Sequence, residues 1–138
     1  IIVIESKNIP QGIAAMINYM GGQSNEENKA NMESEMLQIR SGQVTYAVRD
    51  TVMDGKEIKQ GNFMGLTDKT IVSEGAAREL IESMMDEDSE LISLYFGADT
   101  TQEDADKLAD EIIAAHEDVE VEVQYGGQPI YSYFISVE

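Results

Sequence analysis

Apolar residues recur at two spacings along the chain, and the changes between these spacings divide it into helices and strands. Helical spacing first appears after Pro10, a residue suited to the first turn of a helix, and it ends at Gly21-Gly22. The spacing returns three more times, and Ser24 with Glu27 and Thr100 with Glu103 have the form of capping boxes. The apolar positions of the four predicted helices are Ile13, Met16, Ile17 and Met20; Met32, Met36 and Ile39, with Gly42 ending that helix; Ala77, Leu80, Ile81 and Met84; and Ala105, Leu108, Ala109 and Ile112.

Strand patterns occupy the intervals between these helices. The β-branched run at residues 1–4 predicts a strand at the start of the chain, and from Gln43 the period changes to two, which would place Val44, Tyr46 and Val48 on one face. Asp54-Gly55 is a strong hairpin signal. Further strands are predicted at residues 63–66, 67–69, 70–73, 91–96 and 119–125, and in the apolar run that ends the chain.

The order of these elements indicates an α/β fold. The stretch LISLYF at residues 91–96 is apolar at nearly every position, as expected of a strand covered on both faces. A helix follows it, and then a strand that alternates apolar and acidic residues, which implies a right-handed βαβ crossover. We therefore predict a mixed sheet with helices packed on one face, a βαβ unit in the C-terminal half, and a hairpin-rich insert at residues 43–73 before it.

Length and charge narrow the classes of function. The chain has 138 residues, enough for one domain with a real core, and a net charge of -18, which repels phosphate backbones and anionic lipids. We therefore expect no nucleic-acid partner, and a basic protein or a cation fits better. No apolar run approaches the ~20 residues of a membrane span, and the absence of cysteine is compatible with the cytoplasm. Because the chain opens on strand-like residues, we expect it to be a piece of a longer protein.

The residues that usually carry catalysis are scarce. His116 is the only histidine and ends an acidic helix, where an imidazolium interacts well with the helix C-terminus, so capping is favoured over catalysis. No phosphate-binding loop motif is present, and the pairs Gly21-Gly22 and Gly126-Gly127 are typical of tight turns. The acidic groups at residues 86–90 and 99–106 lack the spacing of a calcium loop and are interpreted as a solvated turn and a helix start. We predict no catalytic residue, no metal site and no cofactor in this chain.

Three side chains are candidates for contact with a partner. Arg49 follows a predicted strand, where its guanidinium could bind a carboxylate or phosphate of a partner, or instead pair with its own neighbours across the hairpin. Tyr131 and Tyr133 would share one strand face, where aromatic side chains could anchor an interface or fill the core.

Three stretches resemble a known family: KNIPQGIAAM at residues 7–16, SGQVTYAVRDTVMDGKEIKQGNFMG at 41–65 and YGGQPIYSYFISVE at 125–138. Together they resemble the DegV-related C-terminal region of dihydroxyacetone kinase-like proteins, whose characterised members are the A-type component of bacterial fatty acid kinase. The matching signature positions are Pro10, Gln11 and Gly12; Thr45, Tyr46, Arg49 and Asp50; and Gly126, Gly127, Gln128, Pro129 and Tyr131.

This resemblance implies a function that the residues alone do not reveal. Full-length members of the family have an N-terminal domain that this sequence does not contain. That domain uses ATP and Mg²⁺ to phosphorylate a fatty acid held by a DegV-fold B-type subunit, and the product feeds phospholipid synthesis. The resemblance implies that this chain is the non-catalytic region that docks the B-type subunit in the cytoplasm, and it leaves room for a homodimer. It also implies that residues 1–22 are the tail of a preceding lobe and that 23–138 form a second lobe.

The candidate side chains and the signature positions together give a set of predicted roles. We assign partner or ligand contact to Arg49, Gln128, Tyr131 and Tyr133, and structural loop positions to Pro10, Gly12, Gly126, Gly127 and Pro129. Two other functions stay open at this point. The chain could be a stand-alone module that binds a fatty acid or another small ligand, or the regulatory domain of a dihydroxyacetone (glycerone) kinase.

Overall fold

Eight strands and four helices are present in the computed structural model of the protein, which describes residues 1–67 and 70–138. The helices are α1 Ile9–Ile17, α2 Asn25–Gln38, α3 Ala76–Met84 and α4 Gln102–Ala115. The strands are β1 Arg40–Tyr46, β2 Thr51–Met53, β3 Lys56–Ile58, β4 Phe63–Leu66, β5 Thr70–Val72, β6 Leu91–Phe96, β7 Glu120–Tyr125 and β8 Tyr131–Val137.

Six of the strands form a mixed sheet in the order β5-β4-β1-β8-β6-β7, while β2 and β3 pair as a separate hairpin. Strands β6 and β7 are parallel, with Ile92 opposite Val121, and α4 connects them, so the predicted βαβ unit is confirmed. The other neighbours in the sheet are antiparallel. The hairpin predicted at Asp54-Gly55 is also confirmed, with φ values of 50° and 75° that suit a tight two-residue turn.

The main core lies between the sheet and helices α3 and α4. Ile81, Ile92, Ile112 and Ile135 are fully buried there. Each aliphatic side chain of this kind stabilises the fold by about 1.5–3 kcal/mol when it leaves water. The apolar spacings of α3 and α4 therefore predicted the core residues correctly.

Gly42 lies inside β1 and does not end a helix, contrary to the prediction. Helix α2 already ends at Gln38, and Ile39 is its C-cap. A Cβ atom at Gly42 would lie 2.7 Å from Cδ2 of Leu80, so the glycine lets α3 pack close to the sheet. Gly42 follows a helical pattern in the sequence, but the position needs a glycine because of tertiary packing against Leu80.

Helices cover both faces of the sheet, whereas we predicted one. Gln43 of β1 is paired with Phe134 of β8, and the residues next to them along each strand face the main core. Gln43 and Phe134 therefore lie on the opposite face of the sheet. They line a cavity of about 440 Å³ together with Asn8 and Pro10 at the start of α1. Helix α1 therefore packs on the face opposite α3 and α4.

Two predicted strands need correction, and a third cannot be assessed in full. Residues 1–4 form no strand, and Ile1 and Val3 are exposed. Strand β1 ends at Tyr46, so Val48 lies outside it and is exposed. In the strand expected at 67–69, Thr67 lies in a bend, and the other two residues are outside the described part of the chain.

One of the two predicted capping boxes is confirmed. The Ser24 backbone N–H donates to Glu27 Oε2 at 2.9 Å, and the Glu27 N–H donates to Ser24 Oγ at 3.3 Å. The first of these bonds is the main cause that lowers the pKa of Glu27. At α4 the cap is Thr101, not Thr100, and its hydroxyl accepts from the Asp104 N–H at 3.1 Å.

Candidate functional site

The loop of residues 126–130, which we name the GGQPI loop, is bonded to the C-terminal end of β6. The Gly126 N–H donates to the Phe96 carbonyl at 2.9 Å, and the Ala98 N–H donates to the Gln128 carbonyl at 2.9 Å. The Gln128 side chain donates to the Tyr95 carbonyl at 2.8 Å. Gly127 has a φ of 69°, a conformation that glycine adopts without strain. These contacts hold the loop in a defined position.

Gly97, directly after β6, allows the chain to pass under this loop. A Cβ atom at position 97 would lie 2.2 Å from the Tyr131 carbonyl oxygen and 2.7 Å from that of Gln128. Both neighbours are backbone atoms and cannot move aside cheaply. Position 97 therefore requires glycine, and the contact brings the start of β8 against the end of β6.

A cleft of about 370 Å³ opens beside this contact, bordered by the start of α3, one side of α4 and the adjoining ends of β4 and β8. Val44 and Leu108 contribute apolar surface to its wall. The polar residues that line it are Glu74, Arg78, Asp99, Thr100, Asp104, Lys107, Glu111, Ser132 and Tyr133. We call this space the acidic cleft, because four of these side chains are carboxylates and two are basic.

Neighbouring carboxylates on the same helices partly neutralise the two cations of the acidic cleft. Arg78 Nε lies 3.9 Å from Glu82 Oε1, and Lys107 Nζ lies 3.4 Å from Glu103 Oε1. Within residues 1–67 and 70–138, the cleft carboxylates Glu74, Asp99 and Glu111 form no ion pair. The cleft therefore presents a net negative potential to solvent, in line with the charge of the whole chain.

Tyr133 forms part of the cleft wall and is 8% exposed. Burial, together with the negative charge of Asp104, raises the pKa of Tyr133 to about 12. Its hydroxyl therefore keeps its proton at neutral pH and can donate a hydrogen bond. No hydrogen bond joins this hydroxyl to another described side chain or backbone group, so the donor is available to a ligand.

The residues that the sequence suggested for contact are not brought together into one site. Arg49 is exposed after the end of β1 and forms no ion pair with any residue that the structure describes, so the pairing across the hairpin is not observed. Its neighbour Asp50 lies 3.8 Å from Lys59 Nζ instead. Gln128 uses its side chain within the protein, as described above.

Tyr131 and Tyr133 do not share a strand face, contrary to the prediction. The register between β1 and β8 shifts between Val44 and Thr45, so β8 contains one extra residue at Ser132. Tyr133 joins the main core, and the Tyr131 ring lies 5.2 Å from that of Phe134 on the other face.

The predicted loop positions are of two kinds. Gly126, Gly127 and Pro129 lie in the GGQPI loop. Pro10 is in the first turn of α1, and Gly12 lies inside the same helix and not in a loop. A Cβ atom at Gly12 would meet only Ser6 Oγ at 3.5 Å, an ordinary contact.

His116 is the C-cap residue of α4, as its position in the sequence suggested. Its side chain does not bond to the helix end, however. His116 Nε2 lies 2.9 Å from Glu82 Oε2, which joins the end of α4 to α3. The contact between His116 and Glu82 is partly exposed and serves to connect helices α4 and α3.

The acidic groups are also used within the fold. Asp86 bonds to Arg40 and Ser89, and Asp104 bonds to Thr101. In the part of the chain that the structure describes, no group of three or more His, Asp and Glu side chains is arranged to hold a metal ion. Over the same residues, no helix combines the length and apolar character needed to cross a bilayer.

Sequence reasoning missed most of the acidic cleft. Phe63, Glu74, Asp99 and Glu111 come from four separate segments, and none is a signature position of the resemblance. Asp99 and Asp104 were interpreted only as favourable charges at a helix start. The one available signal was the large acidic excess, which indicated a cationic partner without locating its site.

Comparison with known proteins gives matches over the whole chain. The model of the FakA-like C-terminal family, which describes proteins like the A-type component of fatty acid kinase, matches residues 1–138. Protein YloV of Bacillus subtilis (strain 168) is 42% identical over 143 residues, which cover 100% of this chain and 26% of that protein. An uncharacterised protein of Staphylococcus aureus (strain USA300) is 46% identical over 142 residues, which cover 99% of this chain and 26% of that protein. The chain thus spans about a quarter of these relatives.

A solved structure supports the predicted fold. A DegV family protein from Thermus thermophilus, studied for its fatty acid binding, aligns with a TM-score of 0.53 and 17% identity. The alignment covers 94% of this chain and 56% of that protein. At this identity the likeness concerns the fold alone, and it confirms the DegV-like α/β architecture.

Proposed function

The chain belongs to the FakA-like C-terminal family of fatty acid kinase, and on that premise we propose that it is the docking domain of a longer kinase polypeptide. Its partner is a DegV-fold protein that carries the fatty acid. The acidic cleft receives basic side chains of that partner. The complex forms in the cytoplasm, and its acyl phosphate product enters phospholipid synthesis.

The observation that carries this proposal is the set of cleft carboxylates that lack a cation. Glu74, Asp99 and Glu111 line one concave surface and form no ion pair with described residues. Complementary charge accelerates association and selects among partners, because a basic surface is attracted and an acidic one is repelled. The net charge of -18 extends the same attraction beyond the cleft itself. A basic protein surface is therefore the partner with the best electrostatic fit.

Phosphoryl transfer is proposed to take place in another part of the longer protein. Such transfer needs phosphate-binding groups and Mg²⁺ held by carboxylates or hydroxyls, and neither arrangement is found among residues 1–67 and 70–138. The curated relatives contain about three quarters of their length outside the region matched here. That additional length is where we place the ATP and Mg²⁺ sites. Homodimer formation remains a prediction.

Direct binding of a fatty acid is a weaker candidate, although the DegV fold suggests it. A fatty acid needs an apolar channel and a group that neutralises its carboxylate. The main core is filled by side chains such as Leu80 and Leu94, which are fully buried. The acidic cleft would repel a carboxylate. A native mass spectrum of the purified protein that showed co-purified fatty acid would reverse this ranking.

Calorimetric titration with fatty-acid-loaded DegV-family proteins from the same genome tests the docking function. We expect binding that weakens as salt is added, because screening reduces charge attraction. The variant Glu111→Lys is expected to lower the affinity about tenfold. The control is Glu122→Lys on the edge strand β7, which makes the same charge change outside the cleft and should lower the affinity less.

Two results would contradict the proposal: no heat of binding at high micromolar concentration, or equal losses for Glu111→Lys and Glu122→Lys. The sequence left a third function open, the regulatory domain of a glycerone kinase. An activity assay of the complete protein distinguishes that function from docking. Activity on dihydroxyacetone and none on a carried fatty acid would favour that function over docking.

A further inference from the structure

We propose that three exposed apolar side chains, Phe63, Tyr46 and Ile130, form the surface that seats the partner beside the acidic cleft, and that Ile130 is its anchor. We name these residues the apolar strip. The inference rests on the proposed function, since it assigns the contact surface of the same partner. That partner is the fatty-acid-carrying protein, which would present an apolar patch with basic side chains at its rim.

The apolar strip lies at one end of the sheet, on β4, β1 and the loop that enters β8. Tyr46 is paired with Phe63 of β4, and Thr45 is paired with Tyr131 of β8. Ile130, the last residue of the GGQPI loop, directly precedes Tyr131, and its carbonyl accepts from the Thr45 hydroxyl, so it lies beside the end of β1. Their exposed fractions are 46% for Phe63, 37% for Tyr46 and 55% for Ile130. Phe63 also lines the acidic cleft, so the strip and the cleft are continuous.

Ile130 is held in a strained backbone conformation. Its φ is 72°, and the Tyr131 N–H donates to the Pro129 carbonyl at 2.8 Å, which closes a γ-turn with Ile130 at its centre. The positive-φ form of this turn is rare and strained, and the strain is greatest for a β-branched residue. Glycine would adopt the same backbone without the clash of a Cβ atom.

Contacts around the turn maintain this conformation. The Thr45 hydroxyl donates to the Ile130 carbonyl at 2.9 Å, and Thr45 is itself buried. The preceding residues of the GGQPI loop are tied to the last residue of β6 by the Phe96 carbonyl, and to the segment after β6 by the Ala98 N–H. The loop therefore presents the Ile130 side chain in a fixed direction. Because the loop is already ordered, less conformational entropy is lost when a partner binds.

Packing within the protein does not account for an isoleucine at this position. Its side chain is more than half exposed and belongs to neither buried core cluster. Backbone strain concentrated at an exposed apolar residue is typical of binding surfaces, where the rest of the fold holds the conformation. An apolar centre with aromatic neighbours and a polar, solvent-accessible rim also matches the general build of protein interfaces.

Charge identifies which partner covers the strip. An apolar strip on an uncharged surface would suit many partners, including a second copy of this chain. Here the strip runs into a cleft whose free groups are carboxylates, so a second copy would bring like charges together. A partner with basic residues around its own apolar patch gains from both surfaces.

Two substitutions at one position test the inference. Ile130→Gly removes both the strain and the side chain, so we expect the melting temperature to rise by about 4 °C and the affinity for the loaded DegV-family protein to fall about tenfold. Ile130→Ala removes the contact but keeps the positive-φ Cβ, so we expect the same loss of affinity without the gain in melting temperature. The control, Ile113→Ala, truncates an exposed isoleucine of α4 and should leave affinity unchanged.

The outcomes separate this inference from the docking function. Wild-type binding that Ile130→Gly and Ile130→Ala both leave intact overturns the assignment of Ile130 while docking stands. Absence of wild-type binding overturns docking and the strip with it. An Ile130→Gly protein that melts below wild type overturns the strain argument. A homodimer in sedimentation that Ile130→Gly dissociates would assign the strip to a second copy and overturn the stated partner.

Discussion

Arg40 Nη1 donates to Asp86 Oδ2 at 2.6 Å, and this contact ties the first residue of β1 to the turn after α3. Arg40 also donates through Nη2 to Ser89 Oγ at 3.2 Å. Asp86 belongs to the acidic group at residues 86–90, which was weighed as an ion site in the sequence. In the structure its partner is Arg40, 46 residues earlier in the chain.

The contact predicts a loss of stability in acid. The hydrogen bond from Arg40 is the main cause that holds the pKa of Asp86 below its ordinary value. The folded state thus binds the proton less tightly than the unfolded chain. The contribution of Asp86 is present above about pH 4 and is lost as the pH falls through the folded pKa.

Urea unfolding at a series of pH values checks this effect. We expect Asp86→Asn to lower the urea midpoint at pH 7 and to flatten its decline in acid. Asp88→Asn, which removes a carboxylate from the same turn without an ion partner among the described residues, should change neither. Parallel declines for wild type and Asp86→Asn would show that other carboxylates govern acid stability.

Tyr133 predicts a loss of stability in base. Burial raises its pKa to about 12, above the ordinary value near 10. The folded state then holds the phenolic proton more tightly than the unfolded chain, so the stability contributed is complete below pH 10 and is lost between about pH 10 and 12. When phenolate absorbance is followed through a titration with base, we expect a late step from Tyr133. Tyr133→Phe should remove that late step, and Tyr125→Phe should leave it.

Gly97 predicts intolerance of the smallest side chain. Gly97→Ala forces a Cβ atom against two backbone carbonyls, and we expect a loss of about 3 kcal/mol in the free energy of unfolding. Gly22→Ala is the matched control, because a Cβ atom there meets nothing within 4 Å. It should stabilise the protein by up to about 1 kcal/mol through the unfolded chain. Chemical denaturation measures both, and equal effects would refute the close approach between β6 and β8.

The cap of α4 predicts a difference between two substitutions at Thr101. Thr101→Ala removes the oxygen that accepts from the Asp104 N–H, and we expect a loss of about 1 kcal/mol. Thr101→Ser keeps that oxygen and should stay within about 0.5 kcal/mol of wild type. Thermal unfolding monitored by circular dichroism measures the difference. A large loss for the serine variant would mean that the threonine methyl group, and not the cap, stabilises this end.

The sheet shows where prediction from sequence succeeds and where it fails. LISLYF and the alternating strand after α4 are parallel neighbours as expected, because local periodicity and connection length determine a βαβ unit. The strand expected at residues 1–4 is absent, since β-branched residues favour a strand only when a neighbouring strand is available to pair. The positions of Tyr131 and Tyr133 on opposite faces depend on a bulge that no local pattern revealed.

Periodicity in the chain was sufficient to indicate the four helices, the Asp54-Gly55 hairpin and the core residues of α3 and α4, because each depends on neighbours within a few positions. The helix ends expected at Gly21-Gly22 and Gly42 were wrong, since α1 ends at Ile17 and Gly42 lies in β1. Met16, Ile17 and Met20, expected on the apolar face of α1, are exposed. The acidic cleft, the packing role of Gly42 and the γ-turn at Ile130 arise only in three dimensions. The cleft and the Gly42 contact join residues far apart in the chain, and the γ-turn is held by the hydroxyl of Thr45, 85 residues earlier, so all three depend on how the helices and strands pack.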